Sequence, residues 1–201
     1  MVKNYTVAIT GASGVIYGVR LIQKLLELGT YVNVVISDSG KVVLEDEMGI
    51  NEGKVHSLFK ESFYGLFEDT ERLNYYEVSD MKAPIASGSY RVECMVVAPC
   101  TMSSMAAIAG GISKNLIERA ADVMLKEGRA LIIVPRETPL STVHLKNMLF
   151  LSQCGVKILP AMPGFYNKPL SIDDMINFVV GKTMDLMGID NSLYKRWQDM
   201  K

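Results

Sequence analysis

Five apolar runs, each followed by a helical pattern, constrain this chain more than any other feature. They are YTVAIT (5–10), YVNVVIS (31–37), CMVVAPC (94–100), ALIIVP (130–135) and VKILPA (156–161). A strand that is apolar along its whole length must be covered on both faces. Strands that alternate with helices join as parallel neighbours through crossovers. The pattern predicts an α/β protein with helices over 15–28, 39–48, 101–109, 114–126, 141–154 and 171–187, and a polar tail ending at Trp197. The stretch 49–82 is more polar, carries Gly49, Gly53 and Gly65, and has no deciding periodicity. The 201 residues are 49% hydrophobic and contain no repeat or linker, so one domain over 1–201 with a sizeable core is expected.

Charge and cysteine content exclude several classes of function. A formal charge of −1 gives no global attraction to nucleic acid or anionic membranes. No apolar run reaches the roughly 20 residues that span a bilayer, and the N-terminus enters a strand without a signal-peptide pattern. Cys94, Cys100 and Cys154 form no CxxC pair and are odd in number, which argues against a disulfide framework. A cytoplasmic protein is expected. The 13 methionines read as fillers of core and interface gaps.

Open parallel sheets bind ligands outside the carboxyl ends of their strands, so the residues just after each run carry the functional information. Gly11-Ala12-Ser13-Gly14 joins the first strand to the first helix. Glycines admit a phosphate to the backbone, and a helix N-terminus adds N–H groups and a favourable dipole. With Gly18 the spacing is GxxGxxxG, neither GxGxxG nor a P-loop, and a plain tight turn is the alternative. Ser37-Asp38-Ser39 ends the second run. Asp38 is equally a ribose ligand of a nicotinamide dinucleotide or the start of a helix capped by Ser37 or Ser39.

Thr101, Met102, Ser103 and Ser104 follow the CMVVAPC run, their hydroxyls able to donate to a phosphate or a flavin edge. Cys100 has no nearby His to activate it and reads as structural. Arg136 and Glu137 lie in PRETPLS, an anion ligand beside a proton donor or acceptor, or else a surface ion pair. Tyr166, Lys168, Lys126, Lys182 and Arg119 are anion-binding candidates that read equally as solvated surface groups. His56 and His144 lack metal-ligand spacing.

At this point the sequence resembles the UbiX-type flavin prenyltransferases. The likeness runs through TGASGVIYGVRL, SGSYRVECMVVAPCTMSS, NLIERAADVMLKEGRALIIVPRETPLSTVHLKNM, MPGFYNKPLSIDDMINFVVGK and YKRWQ. It is weakest over 49–82.

The resemblance implies a three-layer flavodoxin-like or Rossmann-like sheet with helices on both faces, in a homo-oligomer that the family suggests is a dodecamer. It implies that reduced FMN is prenylated by dimethylallyl phosphate without a metal, giving prenylated FMN for a UbiD-type decarboxylase. Position by position, it implies FMN contacts at Gly11, Ala12, Ser13, Ser37, Thr101, Met102, Ser103, Ser104 and Arg136. Prenyl-phosphate contacts fall on Ser87, Gly88, Tyr90, Arg119, Lys126, Tyr166 and Lys182. Ser13, Glu47, Lys126, Glu137 and Trp197 match catalytic or active-site positions. One departure is Lys182, where the family commonly has Arg.

The rival readings are an FMN-dependent decarboxylase of peptidyl or pantothenoyl cysteine, an FMN carrier and a nicotinamide dehydrogenase. PCTMSS stands where the first rival carries an Asn-containing loop, a carrier needs no second phosphate site, and GxGxxG is missing for the last.

Overall fold

A computed structural model of the chain describes residues 2–50 and 59–197; His56 lies outside them. The apolar runs become strands of one six-stranded sheet, β1 (Asn4–Ile9), β2 (Tyr31–Ile36), β4 (Cys94–Cys100), β5 (Ala130–Pro135) and β6 (Lys157–Ile158), joined by β3 (Leu73–Glu77). The spatial order is β3-β2-β1-β4-β5-β6, and every pairing is parallel. This is the strand order of dinucleotide-binding sheets, and it reverses direction between β1 and β4.

The predicted helices form at α1 (Ile16–Glu27), α2 (Asp38–Met48), α4 (Met102–Ala109), α5 (Leu116–Lys126), α6 (Thr142–Gln153) and α7 (Ile172–Leu186), with a short α3 at Phe59–Tyr64. Two apolar cores lie on the two sides of the sheet. Val7, Ile9, Val34 and Val96 meet residues of α1, α2, α3 and α7 on one side. Ala8, Val35, Val97 and Ile133 meet α4, α5 and α6 on the other. Successive strand residues alternate between these cores, so each central strand is apolar on both faces, as its sequence requires.

Two expectations need correction. The last strand covers only Lys157–Ile158, not 156–161. The 49–82 stretch contributes both α3 and the edge strand β3.

Packing is tight at Gly18 of α1. A Cβ there would stand 2.3 Å from the Ala98 carbonyl oxygen of β4 and 2.8 Å from an Ile9 side-chain carbon. Backbone on one side and a filled core on the other leave nowhere to move. Gly18→Ala is expected to lower stability by about 1–3 kcal/mol despite its better helix propensity. A urea midpoint equal to or above that of the parent chain would contradict this.

Candidate active site

The crevice at the β1/β4 reversal is held by one buried hydroxyl. Thr10 Oγ1 donates to the Pro99 carbonyl at 2.9 Å and accepts from the Thr101 N–H at 2.8 Å, fixing the two strand ends together. Thr10→Val keeps the shape and strands the Thr101 N–H. A loss of about 1–3 kcal/mol is expected, with weaker FMN affinity measured by flavin fluorescence titration; unchanged values for both would contradict it.

Gly11 lies against the start of α2, where a Cβ would meet Ser39 Cβ at 2.5 Å. Ser37 caps α2, its Oγ accepting from the Gly40 N–H at 3.0 Å and lying 3.1 Å from Ser39 Oγ. Asp38 therefore falls in the first turn of α2, behind the cap. Thr101 caps α4 by accepting from the Ser104 N–H at 3.1 Å, with its hydroxyl 3.0 Å from that of Ser104. Met102 is buried beneath this turn, and Ser103 is exposed above it. Arg136 crosses the crevice from β5, its Nε donating to the Ser13 carbonyl at 3.1 Å.

The N-terminus of α1 differs from expectation. The Gly14 N–H donates to both Glu47 carboxylate oxygens, at 3.1 and 2.9 Å, and the Val15 N–H to one of them at 3.2 Å. These are donors that the glycine loop was expected to offer to a phosphate. Glu47 takes them instead, and in doing so ties α2 to the Ala12–Ser13 turn. Tyr17, which the sequence did not single out, stands under this turn: a Cβ on Gly14 would meet its ring at 2.9 Å. Burial raises the Tyr17 pKa, the Arg136 charge opposes that and the Glu47 charge adds to it.

Beside Arg136 is a cavity of about 370 Å³, lined by Arg136, Glu137, Leu140, Met148, Pro160 and Met162 among others. Arg136, Glu137 and Thr138 give its polar rim, and the other lining residues are apolar. Glu137 is exposed in the protomer and accepts from the Thr138 N–H at 3.0 Å. Burial pushes the Cys100 thiol up to about 12, which keeps it protonated and supports its structural reading. Among the described residues no group of three His, Cys, Asp or Glu could hold a metal ion. His144 serves α6 instead, its Nδ1 accepting from the Ser141 N–H at 3.2 Å.

The remaining candidate residues gather in two other places. Ser87, Gly88 and Tyr90 lie on the segment entering β4, against the end of α5. A Cβ on Gly88 would meet Lys126 Nζ at 2.8 Å. Arg129 holds this segment by donating to the Gly88 and Tyr90 carbonyls at 2.6 and 2.8 Å. Lys126 pairs with Glu127. Arg119, a turn into α5, donates to the Ala86 carbonyl at 3.0 Å and pairs with Asp122 at 2.8 Å. Lys126 ends α5, with the turn 127–129 between it and the first residue of β5, and Arg136 follows the last residue of that strand. The two cations are thus separated by a strand length, roughly 20 Å. The third group is aromatic: Tyr166 packs edge-on to Phe178 and Trp197, both at 5.7 Å, and Lys182 stands 5.2 Å from the Tyr194 ring centre.

Comparison with known proteins identifies the family. The Flavoprotein family profile matches residues 2–184. The flavin prenyltransferase UbiX of Halalkalibacterium halodurans is 50% identical over 193 residues, covering 96% of this chain and 92% of the relative. The chain belongs to the UbiX-type flavin prenyltransferases. Among solved members of the family, AnUbiX (PadA1), in complex with FMN and dimethylallyl pyrophosphate, superposes with a TM-score of 0.86 at 36% identity, covering 98% of both chains. A structure described as a dodecameric FMN-dependent UbiX-like decarboxylase, from Escherichia coli O157:H7, gives 0.86 at 39% identity, covering 97% of this chain and 99% of that one.

A peptidyl-cysteine decarboxylase, at 22% identity and a TM-score of 0.55, shares the fold alone. The chain is thus a flavoprotein that uses FMN and a prenyltransferase. No helix among the described residues is long and apolar enough to cross a membrane.

Proposed function

We propose that this chain transfers the dimethylallyl group of dimethylallyl phosphate to N5 and C6 of reduced FMN, and that its reaction centre is assembled between copies of the chain. The arrangement of the candidate residues carries this reading. The flavin set converges on one crevice of one protomer, while the cations for a second phosphate stand a strand length away. A dodecameric relative supports assembly. So does the unpartnered apolar surface of Val143, Leu149 and Phe150 on α6 and of Phe165, Leu170 and Ile172 after β6, all at least half exposed.

The crevice fits FMN. It offers the backbone of Gly11–Ser13, the hydroxyls of Ser37, Thr101, Ser103 and Ser104, and the Arg136 guanidinium, which are the donors that a phosphate, a ribityl chain and a ring edge require. Bound reduced FMN supplies the nitrogen, N5, and the carbon, C6, that take the prenyl group. The protein's own part is electrostatic. Lys126, Arg119 and Lys182 with the Tyr166 hydroxyl stabilise the phosphate as it leaves, the role a metal plays in diphosphate chemistry.

The ring faces of Tyr90 and Trp197 shelter positive charge on the allyl group through their quadrupoles. Ring closure at C6 requires removal of a proton. We assign that removal to Glu137 acting through the Ser13 hydroxyl; Arg136, next to Glu137 in sequence, grips the Ser13 carbonyl. Lys182 keeps the charge of the family's usual Arg and loses its bidentate fork. The prenylated FMN then passes to a UbiD-type decarboxylase.

Anaerobic mixing of the protein with reduced FMN and dimethylallyl phosphate is expected to release one inorganic phosphate per flavin consumed, and none with oxidised FMN. Flavin-independent phosphate release would contradict the reading.

A further inference from the structure

The C-terminal segment after α7 is buckled to that helix by a network that the reaction as described does not use. Asp185, on the last turn of α7, accepts from the Tyr194 hydroxyl at 2.5 Å, from Asn191 Nδ2 at 3.0 Å and from two Arg196 nitrogens at 2.8 and 3.3 Å. Asn191 also donates to the Gly181 carbonyl at 3.1 Å. Gly181 is the seat of the buckle: a Cβ there would stand 2.6 Å from the Tyr194 ring and 2.8 Å from Asn191 Oδ1. A glycine in a helix interior costs about 1 kcal/mol against alanine, and here it lets the segment lie directly on the helix. Burial works against ionisation of Asp185, and the hydrogen bonds from Arg196 and Tyr194 outweigh it, holding the carboxyl below its ordinary range.

The buckle has two outputs. Tyr194 is pressed 5.1 Å from Phe178, which places its ring beside Lys182. Trp197, the residue after Arg196, is delivered edge-on to Tyr166. We infer that Asp185, Asn191 and Arg196, seated on Gly181, are positioning residues that hold Trp197 and Lys182 in place for the prenyl phosphate. This rests on the reading that Tyr166, Lys182 and Trp197 meet that substrate. None of the positioning residues touches flavin or prenyl group in this account; they act through the two that do. Trp197 is two-thirds exposed, so packing alone does not fix it and its place depends on the anchor before it.

Trp197 is the only tryptophan, so its fluorescence anisotropy reports the docked segment directly. The variants are Arg196→Gln, at a half-buried position whose guanidinium is bound to Asp185, and Gly181→Ala, which improves the helix while displacing the segment. Both are expected to lower Trp197 anisotropy and to raise the KM for dimethylallyl phosphate about tenfold, the worth of a lost charge-assisted hydrogen-bond pair. FMN affinity should be unchanged, and Arg196→Lys should restore part of the loss.

Unchanged anisotropy in both variants overturns the buckle. Lowered anisotropy with an unchanged KM, while Lys182→Met raises that KM, overturns the positioning role and leaves the substrate assignment standing. An unchanged KM in Lys182→Met removes the substrate assignment, and the inference falls with it.

Discussion

Glu137→Gln should bind FMN as tightly as the parent chain and turn over about 100- to 10,000-fold more slowly, the usual worth of a positioned acid or base. The substitution is isosteric. It preserves the acceptor for the Thr138 N–H, so the turn after β5 has no reason to move. It leaves Arg136 and its grip on Ser13 intact, and with them the flavin crevice. What it removes is the capacity of the cavity rim to take up a proton. Flavin titration beside single-turnover kinetics checks both halves of the expectation. Joint loss of affinity and rate would make Glu137 a flavin-holding residue. Unchanged product formation would remove it from the chemistry.

The second large effect is expected on mixing. Lys126→Met should also be nearly inactive, because it deletes a cation that the leaving phosphate needs. Within one protomer Lys126 and Glu137 stand at opposite ends of β5. If different copies contribute them to one reaction centre, Glu137→Gln and Lys126→Met damage different donors. Co-assembly of equal amounts of the two inactive variants, by unfolding and refolding together or by co-expression, should leave about one quarter of the centres with both intact contributions. Activity should rise from near zero toward that fraction, whereas each variant assembled alone stays inactive. Mixed assemblies as inactive as their parents would mean that one copy supplies both residues.

The central sheet was legible because its strands are apolar on both faces, a pattern that few other arrangements permit. Edge strand β3 was not, since LNYYE alternates buried and half-exposed residues, as a strand with one neighbour does. The α1 cap was also hidden. Glu47 reaches Gly14 and Val15 from more than 30 residues away, and the only local signal was that Val15, at the cap position, has no acceptor of its own. Tyr17 reads in sequence as one more apolar position of α1; that the charges of Arg136 and Glu47 both act on it shows only once β5 and α2 are in place.

The candidate crevice was legible because ligands gather at strand ends, which is a topological rule. The grouping of Ser87, Gly88, Tyr90 and Lys126 at the opposite end of the strands could not be read from a motif list, which carries no distances. The Asp185 buckle likewise depends on how closely the tail lies on Gly181.

The mass of the flavin extracted after anaerobic incubation with reduced FMN and dimethylallyl phosphate tests the account most directly. Prenyl transfer predicts a gain of one five-carbon unit on the isoalloxazine, present with the parent chain and absent with Glu137→Gln. Unmodified FMN, recovered from protein shown to bind both FMN and the prenyl phosphate, would contradict it.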